Sequence, residues 1–355
     1  MFKKNSDVMF EIVKTLVAIA ISLVISFLIL VLVSKTPVDA FFKLLTAPVT
    51  KIRYFGNVLE TMVPIGFAGL ATSLLFRTGL FNLGTEGIYY ICGVVTATVA
   101  SQMFGNAFLD PILTILISSV FGGLVALIPG YFKAKYNTNE LVVSLMMNSI
   151  LFGLGLFFVK TFIRASDVPS VASNKFMETT RLPIFIPGTR THIGVIVLLV
   201  VTVLMFILLF KTKLGYSIRM TGLNKNFAKY SGMSAFALFL SVHFISGFIG
   251  GMGSSIELLG MYERFTWVAL PGLGFTGALI ATLGKNNPFG VLLASFGIAY
   301  IRVGAEIMSR TTDVPVEMAA FVEAILVFLI MSQYFLKKWR DRSLLKEGDK
   351  ANGTV

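Results

Sequence analysis

The chain has 355 residues, 55% hydrophobic and 14% charged, with a mean hydropathy of +0.83 and a net charge of +12. Soluble domains carry about 25% charged residues, so a water-soluble fold is excluded and a polytopic helical membrane protein is indicated. One Cys and two His exclude a disulfide framework, an iron–sulfur site and a Cys/His metal cage; no basic cluster interleaved with aromatics lies outside the apolar runs, so the positive charge points to cytoplasmic loops and not to nucleic acid.

A membrane span needs about 20 mostly apolar residues. That ruler marks ten segments in chain order. Residues 16–34 are an uncharged run, longer than the roughly 7–15 residues of a signal-peptide core and followed by no small-residue cleavage site, so they read as a retained helix. Next come 56–76, carrying Glu60, and 79–103, carrying Glu86 and several glycines. Segments 111–132, 141–159, 193–210 and 230–256 are uncharged, the last being rich in glycine. Residues 265–284 contain Pro271, 286–308 carry Arg302 and Glu306, and 314–336 carry Glu317 and Glu323. The segments at 79–103, 265–284 and 286–308 carry the weakest signals, which sets a range of eight to ten spans. The whole chain reads as a single all-α transmembrane domain, a helical bundle.

Lys and Arg near the span ends set the orientation. With ten spans, the inside loops hold Lys133 and Lys135, five basic residues within 211–233, and the cluster from Lys337 to Lys350. Lys35, Lys43, Lys51, Arg53, Lys175, Arg181 and Arg190 fall outside. The last inside loop and the tail tip the balance towards both termini in the cytoplasm. A long outer loop then covers 164–191, with Pro169, Pro183 and Pro187, and an inner loop covers 211–233. The second half of the inner loop predicts a short helix, with Asn224 at its N-cap and Gly232 at its stop. Bearing Phe227 and Tyr230 among lysines, that helix also suits membrane lipid as a partner.

Several blocks resemble the ABC-transporter permeases of the branched-chain amino acid and simple-sugar class. Gly79-Leu80-Phe81-Asn82-Leu83-Gly84-Thr85-Glu86-Gly87 looks like their Phe-Asn-x-Gly-x-Glu-Gly signature. Asn139 to Asn148 is similar to a second recurrent segment, at the start of the fifth helix. Gly215, Arg219, Gly222, Asn224, Ala228 and Gly232 fall at the spacing of the family's cytoplasmic coupling loop. Ser246 to Gly260 with Glu257, then Gly274 to Gly277 and Gly284 to Gly290, resemble its later blocks. The likeness covers roughly 40–340 in consistent order, and several blocks in register are specific where one is not. Within the class, the length and the segment from Leu182 to Gly194 look like the longer permease of nucleoside importers. That branch often carries Gln after the Glu-Gly pair; here Ile88-Tyr89-Tyr90 follows.

The resemblance implies a permease subunit of an ATP-driven importer in the bacterial plasma membrane, translocating a nucleoside or related sugar-containing solute. Its implied partners are a cytoplasmic ATPase subunit, a second related permease or a second copy, and an extracellular substrate-binding lipoprotein. No Walker A sequence occurs, so ATP and Mg belong to the ATPase and this chain holds no cofactor. Arg219, Gly222, Asn224, Phe227, Ala228 and Tyr230 are the candidate coupling residues.

On the residues themselves, Glu86 is an intramembrane carboxylate, which costs roughly 2.5–3.5 kcal/mol on insertion scales and is a functional hypothesis by default. With Asn82 it borders a translocation path, or it caps a broken helix end, or it pairs with a base such as Arg77. Phe81, Tyr89, Tyr90 and Trp267 are placed to stack a nucleobase. Gly247, Gly250, Gly251 and Gly253 recur at the spacing of close helix packing, which reads their helix, Glu257 included, as scaffold. Arg302 and Glu306 sit four apart on one face, and His243 reads as a hydrogen-bonded core residue. The alternatives are the same permease role for a simple sugar or branched-chain amino acid, and an ion-coupled carrier using Glu86 and Glu306. The carrier calls for inverted repeats, which the sequence does not display.

Overall fold

The computed structural model describes residue 21 and residues 23–318, 320–322 and 324–325. Among them the architecture is helical, with extended pairing confined to isolated bridges at Arg164–Ser173 and Ile184–His192. In chain order the helices are α1 (Leu23–Val33), α2 (Pro37–Thr50), α3 (Ile52–Arg77), α4 (Thr85–Ala100), α5 (Leu109–Tyr136), α6 (Glu140–Phe158), α7 (Gly194–Lys211), α8 (Lys213–Leu223), α9 (Lys225–Tyr230), α10 (Ala235–Met261), α11 (Leu273–Leu283) and α12 (Pro288–Thr311). A π-turn at Val159–Ile163 extends α6. Six of these, α3, α5, α6 with its extension, α7, α10 and α12, are long and apolar enough to cross a bilayer. The sequence segments at 16–34 and 314–336 lie partly or largely outside the described residues.

Two expected spans are shorter helices entered through irregular backbone. After α3 the chain turns at Gly79, whose φ of 79° is left-handed, and α4 begins only at Thr85. Likewise the Pro271-Gly272 pair delays α11 to Leu273, with Gly272 at φ 77° as its N-cap. Irregular backbone at membrane depth is tolerated only against protein or a polar cavity, and both breaks are satisfied by side chains described below.

Residues 52–299 group into one compact unit, and the described residues before 52 with those from 300 onward into another. Within the latter, Asp313 accepts hydrogen bonds from the Ser34 hydroxyl and the Lys35 N–H, each at 2.6 Å, and Leu30, Leu44 and Met308 are buried together.

In the larger unit α3 is buried along nearly its whole length and packs against α10 and α11, while α10 lies along α5. The glycines make that last contact close. A Cβ at Gly251 would stand 2.6 Å from the Ser118 carbonyl oxygen, and one at Gly122 2.5 Å from that of Gly247, so the small-residue spacing read in the sequence does bring backbones together. Hydroxyls bridge the helices: Ser246 donates to the Ala71 carbonyl at 2.9 Å, Ser254 to that of Tyr89 at 2.7 Å, and Thr96 and Ser255 share a 2.5 Å hydrogen bond. Such bonds contribute about 0.6 kcal/mol each in membrane proteins. Exposed Leu116, Val120 and Leu124 on α5 and Leu199, Val203 and Ile207 on α7 suit a lipid-facing surface.

Candidate functional site

Glu86 lies in the first turn of α4 and is 2% exposed. Its carboxylate reaches across to the start of α11, where the Gly272 N–H donates to Oε1 at 2.6 Å and the Gly274 N–H donates to Oε2. The negative charge therefore meets the positive ends of two short helices at once. Hydrogen bonds to a charged group contribute about 1.5–3 kcal/mol each, enough for two to offset the insertion cost quoted above. Glu86 thus caps the broken start of α11. Gly274 is needed for the approach, since a Cβ there would stand 2.6 Å from that of Glu86.

Asn82 organises the entry to α4. Its Oδ1 accepts from the Gly84 N–H at 2.6 Å, closing a tight turn, and its Nδ2 lies 3.3 Å from His243 Nε2. His243 Nδ1 is 2.8 Å from the Phe239 carbonyl, which places the proton on Nδ1 and leaves Nε2 to accept from Asn82. From α6, the Asn148 Oδ1 accepts from the Gly87 N–H at 2.9 Å and its Nδ2 donates to the Leu83 carbonyl at 3.0 Å. The signature is thus a hydrogen-bonded knot. Phe81 points out of it, 56% exposed and stacked on Phe76 at 4.9 Å.

One turn further along α4, Tyr89 and Tyr90 are both fully buried. The Tyr89 hydroxyl donates to Glu257 Oε2 at 2.6 Å, and its ring stacks on Trp267 with centroids 5.9 Å apart. The Tyr90 hydroxyl donates to the Trp267 carbonyl at 3.2 Å, and its ring meets Phe265 edge-on. Tyr89, Tyr90 and Trp267 are therefore gathered in one place, with Phe81 outside it. Glu257, read in the sequence as part of a scaffold helix, is thereby brought against this cluster as a carboxylate in an otherwise uncharged apolar helix.

The segment carrying Trp267 is laced to the 164–191 loop. Ser173 N–H donates to the Phe265 carbonyl and Phe265 N–H to the Ser173 hydroxyl, both at 3.0 Å; Phe176 N–H donates to the Glu263 carbonyl at 2.9 Å. Arg264 pairs with Asp167 through two bonds of 2.9 and 3.1 Å. That pairing holds the Asp167 carboxyl below its usual range and the Arg264 guanidinium above its own.

At 211–233 the sequence predicted one short helix; the structure has two. Thr212 caps α8 by accepting from the Gly215 N–H at 3.1 Å, and Gly215 packs against the carbonyls at the end of α7. Asn224 caps α9 by accepting from the Phe227 N–H at 3.0 Å, and Gly232 follows at φ 77°, as the sequence indicated. The six coupling candidates divide by environment. Arg219 donates to the Leu209 carbonyl and covers the Phe210 ring, Gly222 abuts Arg77, and Ala228 is buried. Phe227 and Tyr230 project outward, 52% and 90% exposed. Lys225 reaches Asn137 Oδ1 at 3.3 Å, beside the Lys133–Glu140 ion pair of 2.7 Å.

A polytopic helical bundle with a buried carboxylate at a broken helix, and short capped helices presenting exposed aromatics beside lysines, suits a membrane transport component. Residues 54–331 match the family described as branched-chain amino acid transport system / permease component, and the chain belongs to that family. It is 28% identical over 325 residues to the guanosine ABC transporter permease protein NupP of Bacillus subtilis, covering 91% of this chain and 93% of that one. It is 28% identical over 321 residues to the glucose ABC transporter permease protein TsgB13 of Haloferax volcanii, with 88% and 84% covered. With the nucleoside ABC transporter permease protein NupB of Lactococcus lactis subsp. cremoris it shares 25% over 338 residues, with 91% of each covered. The chain is accordingly a multi-pass permease subunit of the plasma membrane, and ATP hydrolysis falls to a separate subunit.

Proposed function

We propose that this permease carries a nucleoside into the cell as part of an ATP-driven importer. The observation that carries the reading is the likeness, over nine-tenths of both chains, to a permease named for guanosine. The aromatic cluster of Tyr89, Tyr90 and Trp267 beside a carboxylate gives it chemical sense. A glucose permease shares the same 28% identity over somewhat less of each chain, so a simple sugar is the competing substrate.

In this reading ten spans place both termini, α8 and α9 in the cytoplasm, and the 164–191 loop outside. An ATPase dimer closes on ATP and moves α8 and α9. The 77–84 turn passes that motion to α4, and through Glu86 to α11. A second permease subunit or second copy completes the path, and a lipoprotein delivers solute to the outer loop. The test is uptake in proteoliposomes holding the whole complex. ATP-dependent accumulation of tritiated guanosine, with glucose and leucine inert, is the expected result. Accumulation of glucose or leucine without guanosine overturns the substrate, and uptake driven by an ion gradient without ATP overturns the importer.

A further inference from the structure

We propose that Glu257, with Tyr89 and Trp267, is a recognition point inside the permease for a solute bearing a flat ring and two adjacent hydrogen-bond donors. The inference rests on the nucleoside reading and adds where, and by which chemistry, the permease itself senses its cargo.

Three carboxylates of the larger unit differ in what stabilises their charge. Glu86 accepts from two backbone N–H groups at a helix N-terminus, and Glu140 pairs through Oε1 with Lys133 at 2.7 Å, its Oε2 buried without a partner. Glu257, only 7% exposed, has a single hydrogen bond, from the neutral Tyr89 hydroxyl to Oε2. Its Oε1 accepts nothing, and no Lys or Arg pairs with it among the described residues. A carboxylate has about four lone-pair sites and no donor when ionised, so any solute that completes it must bring the donors. Two oxygens side by side match two donors on neighbouring atoms, as in bidentate recognition. A packing residue has no use for an acid there; Leu or Gln would fill the same space at lower cost.

The surroundings add the second requirement. Trp267 lies over Tyr89 at 5.9 Å and 26°, and Tyr262 meets Trp267 edge-on at 6.2 Å and 89°. Trp267 is only partly buried, and its neighbours Thr266 and Val268 are exposed, so the indole is approachable from their side. Aromatic faces favour a flat π-system laid against them, as in the stacking of nucleobases on aromatic side chains. A nucleoside offers both features: a base, and donors that are either the ribose 2′,3′-diol or the amino and ring N–H of guanine. A monosaccharide offers only a saturated, puckered ring, and a branched-chain amino acid brings an ammonium and its own carboxylate.

The experiment uses the complete complex with its lipoprotein in proteoliposomes and reads uptake per ATP hydrolysed for three tritiated probes: guanosine, 2′,3′-dideoxyguanosine without the diol, and inosine without the 2-amino group. Glu257→Gln is expected to lower guanosine uptake roughly tenfold while leaving at least one analogue within about twofold. The spared analogue identifies the donor pair, dideoxyguanosine for the diol and inosine for the base. Dividing variant by wild type cancels delivery by the lipoprotein. Equal loss for all three probes, or no loss, overturns the inference while wild-type guanosine uptake still upholds the nucleoside reading. A wild-type complex inert towards all three brings down that reading first. Should Glu257→Gln fail to assemble, Glu257→Asp, which keeps the charge and moves it by one carbon, carries the same comparison.

Discussion

Gly222, near the end of α8, sits against the carbonyl oxygen of Arg77, the last residue of α3, so closely that no Cβ fits between them. Gly79, two residues past Arg77, faces the Gly222 backbone in turn. Helix α8 thus bears directly on the turn joining α3 to α4. Transmission of motion needs an element whose contacts differ between two states, and this seat offers backbone against backbone with no compliant side chain. Gly222→Val is expected to keep ATP hydrolysis but lower its stimulation by loaded lipoprotein several-fold, with uptake falling in step. Stimulation at the wild-type level would show that the seat does not carry the stroke.

Phe227 stands 52% exposed on α9, a helix whose cap is internal and whose Ala228 is its buried anchor. Phe227→Asp is expected to uncouple hydrolysis from loaded lipoprotein in reconstituted complexes of equal subunit content. If the residue only rests on lipid, coupling survives and binding of this region to anionic bilayers weakens instead.

Glu86→Gln keeps the size of the side chain but leaves one acceptor oxygen for two N–H groups and turns an NH2 towards the other. The expected cost is about 1–3 kcal/mol, read as a lower Tm of the purified complex. Uptake is expected to fall further than membrane abundance does, because α11 loses its anchor. Wild-type uptake at equal abundance would show that the charge is dispensable.

His192 lies in the segment between the 164–191 loop and α7. Burial pushes its imidazole down to about 4; Nδ1 accepts from the Gly194 N–H at 3.2 Å while Nε2 is buried without a partner. An unfolded histidine titrates near 6.5, so between these values the unfolded chain binds a proton that the folded one refuses. Stability contributed by the neutral ring is intact above about pH 6.5 and declines on acidification until it levels off near pH 4. His192→Asn is expected to flatten that part of the Tm-against-pH curve. Parallel curves for variant and wild type would contradict the assignment.

The side of the membrane on which α9 lies is testable with one thiol. Ser231 caps the exposed end of α9, and the native Cys92 is fully buried. In a Cys92→Ser background, Ser231→Cys is expected to react with an impermeant maleimide only after cells are permeabilised. Labelling of intact cells would reverse the orientation.

What could be read from the sequence followed how local each determinant is. Asn224 and Gly232 announced α9 because a cap and a stop act within one turn. The glycines of α10 announced close packing because their spacing repeats along one helix. Helix α8 passed unread, since its basic residues masked the cap at Thr212. The segments at 79–103 and 265–284 looked like weak spans because the groups that satisfy their breaks, Asn148 for the first and Glu86 for the second, lie far away in sequence. The hydroxyl partner of Glu257 was out of reach for the same reason: Tyr89 lies 168 residues upstream.

The bond from Glu86 to Gly272 spans 186 residues, and this imposes an order on the protein's manufacture. Ribosomes add about 5–20 residues per second, so the carboxylate enters the membrane roughly ten to forty seconds before its N–H donors exist. Throughout that interval the nascent chain holds an unmet acid at the mouth of a half-built helix pair. A chain cut short anywhere before residue 272 keeps it permanently, and so carries its own mark of incompleteness into the bilayer.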